Sequence, residues 1–213
     1  MTHRVAFQGA PGAYSHLTAR RLFPDSEALP LPAFEDVFQA VEGGQADTAL
    51  IPVENSVAGR VADVHHLLPR SPLHIQAEHF EKITHCLLAL KGARLEDVRQ
   101  VYSHVQGLSQ CRAYIRSLGL TPVTHSDTAG AARDVAWWKS PANAAIASRL
   151  AAEIYGLDVL AEDIADAPHN TTRFLVLGRE AAAPAPEEAV KTTLYFTLRS
   201  VPAALYKALG GFA

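Results

Sequence analysis

The 213-residue sequence has few of the features that would define a disulfide-rich, membrane-spanning or nucleic-acid-binding protein. Its two cysteines, Cys86 and Cys111, are too few for a disulfide framework and belong to no C-x-x-C motif. Its unbroken apolar runs are short, whereas a membrane span needs about 20 apolar residues. The net charge of −3 gives no overall positive field for nucleic acid or an acidic membrane. Since no signal-peptide core follows Met1 either, we expect a globular protein in a reducing cytoplasm.

One change in composition divides the chain. Residues 181–190 are rich in alanine, proline and glutamate without apolar periodicity, which is typical of a semi-stiff linker. After it, 192–198 alternates like a strand and 202–209 has a helical pattern. Since one strand and one helix cannot bury a core, residues 191–213 are predicted to begin a second domain that is cut short.

The body before the linker alternates strand and helix patterns, which predicts an α/β fold with mostly parallel sheets. Apolar residues at helical spacing, beginning with Phe34, predict a helix that ends at Gly43-Gly44. A stripe from Val105 to Leu118 predicts one continuous helix, and Ser140-Pro141 predicts the start of an alanine-rich helix that runs to Gly156. The predicted strands are 4–8, 48–53, 83–90, 98–103 and 172–178.

Polar residues follow four predicted strands, in the turns 9–16, 54–59, 103–106 and 124–128. In open α/β sheets, ligands bind at the carboxyl ends of the strands, where helix N-termini offer free N–H groups to anions. Four such turns around one cleft would make a pocket, without cations, that suits carboxylates. The alternative is that the polar side chains only cap their helices.

Other motifs give little support for cofactor, metal or serine-hydrolase chemistry. Neither G-x-G-x-x-G nor a phosphate-binding loop is present, and no G-x-S-x-G marks a nucleophilic serine. The pair His65-His66 is a poor chelate because neighbouring helical residues point about 100° apart. We therefore expect no cofactor and no metal.

Five segments occur in the order found in prephenate dehydratases, and together they resemble that family over residues 4–179. The segments are 9–16 (GAPGAYSH), 51–56 (IPVENS), 104–111 (HVQGLSQC), 127–132 (DTAGAA) and 170–174 (NTTRF). The residues from 192 onward resemble the opening of an ACT domain, the family's regulatory module. The sequence departs from the family pattern at Ala13, where threonine is common, and at Ala203-Ala204-Leu205, where Gly-Ala-Leu is usual.

The resemblance implies a two-lobed α/β fold like a type II periplasmic binding protein, followed by the α+β ACT segment at 191–213. Lobe one would comprise 1–78 and 170–180, lobe two 79–168, and the ligand would lie between them. The implied partners are prephenate as substrate and L-phenylalanine as effector of the full-length protein. The implied assembly is a homodimer or homotetramer. With half of the effector pocket missing, a 213-residue species is expected to show little phenylalanine inhibition.

The resemblance also implies a set of site residues. Thr172, in the Thr-Arg-Phe motif, would be catalytic as a proton donor or a polariser of the leaving oxygen. Arg173 would either bind a carboxylate or hold the returning strand to the other lobe, and Gln106 would either complete the site or be structural. The implied substrate-binding residues are Ser15, Asn55, Ser56, His104, Gln106, Asn170, Thr171, Arg173 and Phe174.

Three functions remain open at this point. The first is dehydration and decarboxylation of prephenate to phenylpyruvate, in phenylalanine biosynthesis. The second is the same chemistry on arogenate, the amino analogue, which the sequence does not separate because the ring chemistry is shared. The third is capture of a small carboxylate by a non-catalytic binding protein of the same fold.

Overall fold

The computed structural model describes residues 2–181, 187, 192, 194 and 196–212. Contacts divide the chain into two units, Met1–Ala182 and Ala183–Ala213. The second unit contains one helix among its described residues, α8 (Ala204–Gly210), close to the predicted helix over 202–209. The predicted strand 192–198 includes two residues outside the described part, and its described residues are not in a strand. Most of the predicted linker 181–190 also lies outside the described residues.

The first unit alternates strands and helices, and its described residues form eleven strands and seven α-helices. The strands are β1 (Arg4–Gln8), β2 (Glu27–Leu31), β3 (Thr48–Asn55), β4 (Gly59–Arg60), β5 (His74–Lys82), β6 (Cys86–Leu90), β7 (Gln100–Ser103), β8 (Thr121–Thr124), β9 (Asn143–Ala147), β10 (Leu157–Ala161) and β11 (Thr171–Gly178). The helices are α1 (Tyr14–Leu22), α2 (Phe34–Glu42), α3 (Ala62–Leu67), α4 (Val105–Gln110), α5 (Arg112–Ser117), α6 (Thr128–Trp138) and α7 (Arg149–Tyr155). Short 3₁₀ turns cover Leu68–Arg70 and Leu95–Asp97.

The first sheet has the strand order β2-β1-β3-β11-β5, with β4 paired to β3. Strand β1 lies parallel to β2 and β3, while β11 returns antiparallel between β3 and β5. Val5 and Ala6 of β1, which point to opposite faces, are both fully buried because helices cover both faces of the sheet. Helix α2 packs on one face through Val37 and Val41, and α1 packs on the other through Ala19.

The second sheet has the order β10-β6-β9-β7-β8. Strand β7 is parallel to β8 and β9, whereas β6 is antiparallel to β9 and β10. Leu108 and Ile115 pack on one face, and Ala131 and Val135 of α6 pack on the other. We call the layers around the first and second sheets lobe one and lobe two. The α/β architecture is confirmed, but both sheets are mixed rather than mostly parallel.

The chain passes between the sheets twice. Strand β5 keeps the chain in the first sheet as far as Lys82, so the first crossing is the segment 83–85. The second crossing lies between β10 and β11 and ends at Asn170. The two crossings are joined by a hydrogen bond from the Ile83 backbone N–H to the Asn170 carbonyl, 2.9 Å long.

The single helix predicted from Val105 to Leu118 is wrong, because the helix breaks at Cys111. The backbone of Cys111 has φ −117° and ψ 24°, and separate helices lie on either side. Asp166 of the second crossing accounts for the break. Its N–H donates to the Gln110 carbonyl at 2.7 Å, and its carboxylate accepts from the Ala113 N–H at 3.1 Å. The polar groups that a continuous helix would pair internally are therefore paired with the crossing.

The alanine-rich helix predicted from 141 to 156 is also wrong over its first half. Residues 143–147 form β9, the central strand of the second sheet, and α7 begins only after Ser148, whose hydroxyl caps it. Ala144 and Ala147 are fully buried between neighbouring strands. Tertiary packing thus overrides the helix propensity of alanine.

The turn after β1 is attached to lobe two. The Ser148 hydroxyl donates to the Gly12 carbonyl at 2.5 Å, and the Tyr155 hydroxyl donates to the Pro11 carbonyl at 2.7 Å. Gly12 has φ +92°, and a Cβ there would lie 2.8 Å from the Ala151 Cα. Only glycine allows this backbone conformation and this close approach of the two lobes.

We expect Gly12→Ala to lower the free energy of unfolding by about 2–4 kcal/mol, from left-handed backbone strain plus overpacking. The melting temperature should then fall by about 5–15 °C. Gly44→Ala is the matched control, because Gly44 also has positive φ but a methyl group there would meet no described atom within 4 Å. Equal shifts for the two variants, measured by calorimetry, would show that the approach to α7 has no energetic importance.

Candidate active site

A cleft of about 560 Å³ lies between the two lobes. All four polar turns singled out in the sequence contribute to it, through residues such as Ser15, Asn55, His104 and Asp127. The carboxyl ends of strands from both sheets therefore meet around one space, as the rule for open α/β sheets predicts. The predicted site residues that line it are Ser15, Asn55, His104, Gln106, Thr172 and Phe174.

Thr172 lies near the start of β11, with 9% of its surface exposed. Its partner across the sheet is Asn55, the last residue of β3. Side chains alternate along a strand, so Phe174 points to the same side as Thr172. Phe174 is 1% exposed and packs with Val5 and Leu50 beneath the cleft. The side chain of Thr172 thus lies next to a buried apolar cluster that includes Phe174.

Asn55 determines the direction of the hydrogen bond at Thr172. Its Oδ1 accepts from the backbone N–H groups of Val57 and Ala58, at 3.0 and 2.8 Å. Since backbone N–H groups can only donate, the other end of the amide must be Nδ2. That nitrogen donates to Thr172 Oγ1 at 2.9 Å. The threonine oxygen is therefore an acceptor toward Asn55, and its own hydrogen is left to donate into the cleft.

The same amide starts a chain of hydrogen bonds whose residues, apart from Asn170, line the cleft. Asn55 Nδ2 also donates to Asn170 Oδ1 at 2.7 Å, and Asn170 Nδ2 donates to Gln110 Oε1 at 3.0 Å. Gln110 Oε1 lies 2.7 Å from His85 Nε2, and His85 Nδ1 lies 2.7 Å from the Tyr14 hydroxyl. This chain of hydrogen bonds links lobe one, both crossings and lobe two.

Burial controls the protonation of the two titratable groups in this chain. Burial lowers the pKa of His85 below its ordinary value, although its hydrogen bond to Gln110 acts in the opposite direction. Burial raises the pKa of Tyr14 well above its usual range. Both groups are consequently neutral near pH 7. A neutral His85 that donates from Nε2 has a free acceptor at Nδ1, which matches the position of the Tyr14 hydroxyl.

Two helix N-termini face the cleft. The first residues of α1, Tyr14 and Ser15, have N–H groups without an intrahelical acceptor. The alternative that the polar side chains of these turns only cap their helices does not apply to Ser15, because the residue at the N-cap of α1 is Ala13. Among the described residues, none forms a hydrogen bond with the Ser15 hydroxyl. Helix α6 also points at the cleft through Thr128, and its cap is Asp127, whose carboxylate accepts from Gly130 N–H at 2.6 Å.

His104 and Gln106 bring lobe two to the cleft. His104 precedes α4, and its Nδ1 accepts from the Gln106 backbone N–H at 3.3 Å. The Gln106 side chain is exposed and lines the cleft. It forms no hydrogen bond with another described residue. The two residues lie across the cleft from Thr172.

Four of the residues implied by the resemblance do not line the cleft. Asn170 is buried behind Thr172. Ser56 and Thr171 bond to each other, since the Ser56 hydroxyl accepts from the Thr171 N–H at 3.0 Å and donates to the His169 carbonyl at 2.7 Å. These bonds join the β3 turn to the second crossing. Ser56 and Thr171 therefore have a structural role in this arrangement.

Arg173, the fourth, points away from the cleft and holds β11 to its neighbours in the first sheet. Its guanidinium donates to Glu54 of β3 at 3.1 Å and to Glu78 of β5 at 2.8 Å. Burial lowers the pKa of Arg173, but the two carboxylates outweigh this and raise it overall. Of the two functions weighed for Arg173, holding the returning strand fits these contacts, although the partners belong to the same lobe.

Sequence reasoning missed one cation and five other polar residues at the cleft. Arg60 follows Gly59, whose φ of +83° allows the tight turn into β4. In the described part of the chain, no carboxylate lies within ion-pair distance of the Arg60 guanidinium. The expectation of a pocket without cations is thus wrong. The other five that line the cleft are Gln8, Tyr14, Asp63, His85 and Gln110. Of these, only Tyr14 and Gln110 lie inside segments that resemble the family, and those segments could have signalled them.

Within the described residues, no cluster of three or more histidine, cysteine or acidic side chains could hold a metal ion. None of the helices described combines the length and the hydropathy that a bilayer span requires. Both cysteines are buried and unpaired. Burial raises the pKa of Cys111 to about 12, so it is no candidate nucleophile.

The fold and the cleft define a class: two α/β lobes joined by two crossings, with polar strand ends and helix N-termini around a ligand space. The chain belongs to the prephenate dehydratase family, whose model matches residues 5–182. The resemblance drawn from the five sequence segments is therefore confirmed.

Three similar proteins illustrate the relationship. The bifunctional N-acyl-homoserine lactone acylase/prephenate dehydratase of Komagataeibacter europaeus is 47% identical and matches 98% of the chain and 75% of its own length. Arogenate dehydratase 2 of Petunia hybrida is 45% identical and matches 99% of the chain and 53% of its own length. The crystal structure of prephenate dehydratase from Arthrobacter aurescens in complex with L-Phe has a TM-score of 0.85 at 29% identity, over 98% of the chain and 71% of that structure. The chain thus spans about half the length of the plant relative.

Proposed function

We propose that this chain converts prephenate to phenylpyruvate, as a carbon–oxygen lyase of phenylalanine biosynthesis. The observation that carries the proposal is the Thr172 hydroxyl, whose oxygen accepts from Asn55 and whose hydrogen is left to donate into the cleft between the lobes. A donor held in this direction suits a reaction in which a ring hydroxyl must leave. Membership of the family supports the same assignment.

The reaction balances without an oxidant or a reductant. The bond between the ring and its carboxylate breaks, and its electron pair moves into the ring, which becomes aromatic. The ring C–O bond breaks at the opposite position and its electron pair stays on the oxygen, which takes up one proton from solvent and departs as water, so that each turnover consumes one proton. Carbon dioxide and phenylpyruvate are the other products. Aromatisation supplies the driving force, so the protein mainly orients the substrate and stabilises the charge that develops on the leaving oxygen.

In this mechanism Thr172 is a polariser rather than a net source of protons. Its hydroxyl donates a hydrogen bond to the leaving oxygen as negative charge develops there. An aliphatic hydroxyl is a very weak acid, and the Asn55 amide behind it cannot resupply a proton. The buried Phe174 side chain keeps the surroundings of Thr172 apolar. Because water is excluded there, the hydrogen bond from Thr172 to the leaving oxygen is stronger.

The two carboxylates of the substrate have several donors available. We assign the N-terminus of α1 with the Ser15 hydroxyl to one of them, since free N–H groups and the helix dipole favour an anion. We assign the Arg60 guanidinium to the other. His104 and Gln106 would complete the site from lobe two when a ligand bridges the lobes.

Arg60→Gln should raise KM for prephenate about tenfold with little change in kcat, the effect of losing about 1.4 kcal/mol of charge-assisted binding. A loss confined to KM is expected because the carboxylate is bound equally in the ground state and the transition state. Arg116→Gln, an exposed arginine on α5, is the matched control for the change in net charge. An unchanged KM for Arg60→Gln in steady-state assays would remove Arg60 from the site.

The direct test of the function is to incubate the purified protein with prephenate and follow phenylpyruvate by absorbance. Sustained turnover is expected, and a wild-type protein that binds prephenate without turning it over would instead be a small-carboxylate binding protein. Arogenate supplies the second arm of the assay. A higher kcat/KM on arogenate than on prephenate would make the chain an arogenate dehydratase, as the names of its plant relatives allow.

We further propose that the full-length protein is a cytoplasmic homodimer or homotetramer whose effector is L-phenylalanine, bound through an ACT domain. The L-Phe complex of the Arthrobacter aurescens relative supports the choice of effector. Light scattering on the full-length protein with and without L-phenylalanine, alongside the activity assay, tests both parts. An unchanged activity at saturating L-phenylalanine would contradict allosteric regulation.

A further inference from the structure

His85 and Tyr14 form the end of the hydrogen-bonded chain that lies farthest from Thr172. His85 is 3% exposed and lies in the first crossing between the lobes. Both ring nitrogens have partners at 2.7 Å, the Tyr14 hydroxyl at Nδ1 and Gln110 Oε1 at Nε2. The mechanism proposed above assigns neither residue a contact with the reacting atoms. Their burial and short bonds nevertheless connect them to the groups that do make contact.

The direction of each bond in the chain can be followed from one end. The backbone N–H groups at Val57 and Ala58 fix the amide of Asn55, and that amide fixes Asn170. Asn170 Nδ2 then requires an acceptor at Gln110, which is Oε1. Because Oε1 can only accept, His85 must donate from Nε2. Its Nδ1 is then an acceptor, and it shares the single hydrogen of the Tyr14 hydroxyl with the Thr84 carbonyl, which lies 3.2 Å from the same hydroxyl.

This arrangement fixes the orientation of the Gln110 side-chain amide. Its Oε1 accepts two hydrogen bonds, one from each crossing of the chain. Its Nε2 forms no hydrogen bond with another described residue, and Gln110 lines the cleft. If the amide rotated by half a turn, Nε2 would face two donors, so the pair of bonds to Oε1 prevents that rotation. The amide nitrogen is thereby kept as a donor toward the cleft.

We propose that His85 is a positioning residue for this reaction: its Nε2–H donates to Gln110 Oε1 and fixes the Gln110 amide so that the amide nitrogen donates to the bound substrate. The Tyr14 hydroxyl, 2.7 Å from His85 Nδ1, holds the imidazole ring in place. This inference rests on the proposed dehydratase function. It adds a residue that acts through Gln110 and does not itself touch the reacting atoms.

A pair of substitutions at His85 separates positioning from simple packing. Glutamine can place an amide N–H close to the position of the imidazole Nε2–H, whereas leucine fills similar space without a donor. His85→Leu should lower kcat by about 10–100-fold with KM changed much less, the scale of leaving a buried acceptor without its donor. His85→Gln should recover most of that loss. Equal kcat values for the two variants, or kcat near wild type in His85→Leu, would overturn the proposal.

A second measurement does not depend on catalysis. Nitrogen-15 NMR of the imidazole distinguishes a protonated from an unprotonated ring nitrogen. The wild-type protein should show His85 with hydrogen on Nε2 alone, because Gln110 Oε1 requires a donor. A wild-type ring with hydrogen on Nδ1 would overturn the proposal even if a variant at His85 failed to fold.

Failure of the proposed dehydratase function and failure of the positioning proposal would give different results. A wild-type protein that forms no phenylpyruvate contradicts the proposed function, and the tautomer measurement then decides whether His85 donates to Gln110. An active wild type whose His85→Leu variant keeps its kcat contradicts only the positioning.

Discussion

Thr172→Ala should lower kcat on prephenate by a factor on the order of 10²–10⁴, with little change in KM. The variant removes the hydroxyl that donates to the leaving oxygen, while the carboxylate-binding groups at α1 and Arg60 stay in place. Because the interaction develops only as the C–O bond breaks, its loss should appear in kcat rather than in binding. Steady-state assays on the purified variant measure both constants.

Thr172→Ser is the matched control, since serine keeps the hydroxyl and loses only a methyl group. It should retain a much larger share of kcat than alanine does, and both variants should melt close to the wild type. An alanine variant with more than half of the wild-type kcat would remove Thr172 from the mechanism.

Asn55→Asp should lower kcat by about 10²–10³, the effect of losing one oriented donor at the reacting oxygen. Aspartate has the shape of asparagine and can still accept from the Val57 and Ala58 N–H groups. Its second oxygen, however, accepts where Nδ2 donated. The Thr172 hydroxyl would then donate to the introduced carboxylate and no longer to the substrate.

Asn143→Asp is the control for an amide-to-acid change away from the cleft, in β9. It should have a kcat close to the wild-type value. If Asn55→Asp also kept more than half of the wild-type kcat, the direction of the Thr172 hydroxyl would have no bearing on catalysis.

The parts of the fold that follow from local pattern were predictable. Phe34, Val37, Phe38 and Val41 lie at helical spacing and form the buried side of α2. The alanines of β9 were not predictable in the same way, because alanine favours helices and only the neighbours β6 and β7 make that segment a strand. The break at Cys111 likewise depends on Asp166, which is 55 residues away in the sequence.

The candidate site likewise has a part that the sequence pattern predicts and a part that it does not. The placement of Ser15, Asn55 and His104 at the cleft follows from the rule that ligands bind at the carboxyl ends of strands. The bonds from Asn55 through Asn170 to Gln110 depend on where the two crossings meet. They join residues 115 and 60 positions apart, and no local spacing in the sequence indicates them.

The most direct test of the account is the kcat of the double variant Thr172→Ala/Asn55→Asp, measured beside the two single variants. If Asn55 acts on the reaction mainly by directing the Thr172 hydroxyl, the second change has only the bond from Asn55 to Asn170 left to disturb once the hydroxyl is gone. The double variant should then keep a kcat well above the value expected from multiplying the two separate losses, because the two residues act largely as one unit. A kcat reduced by the product of the two separate losses would show that they act independently, and would contradict the account.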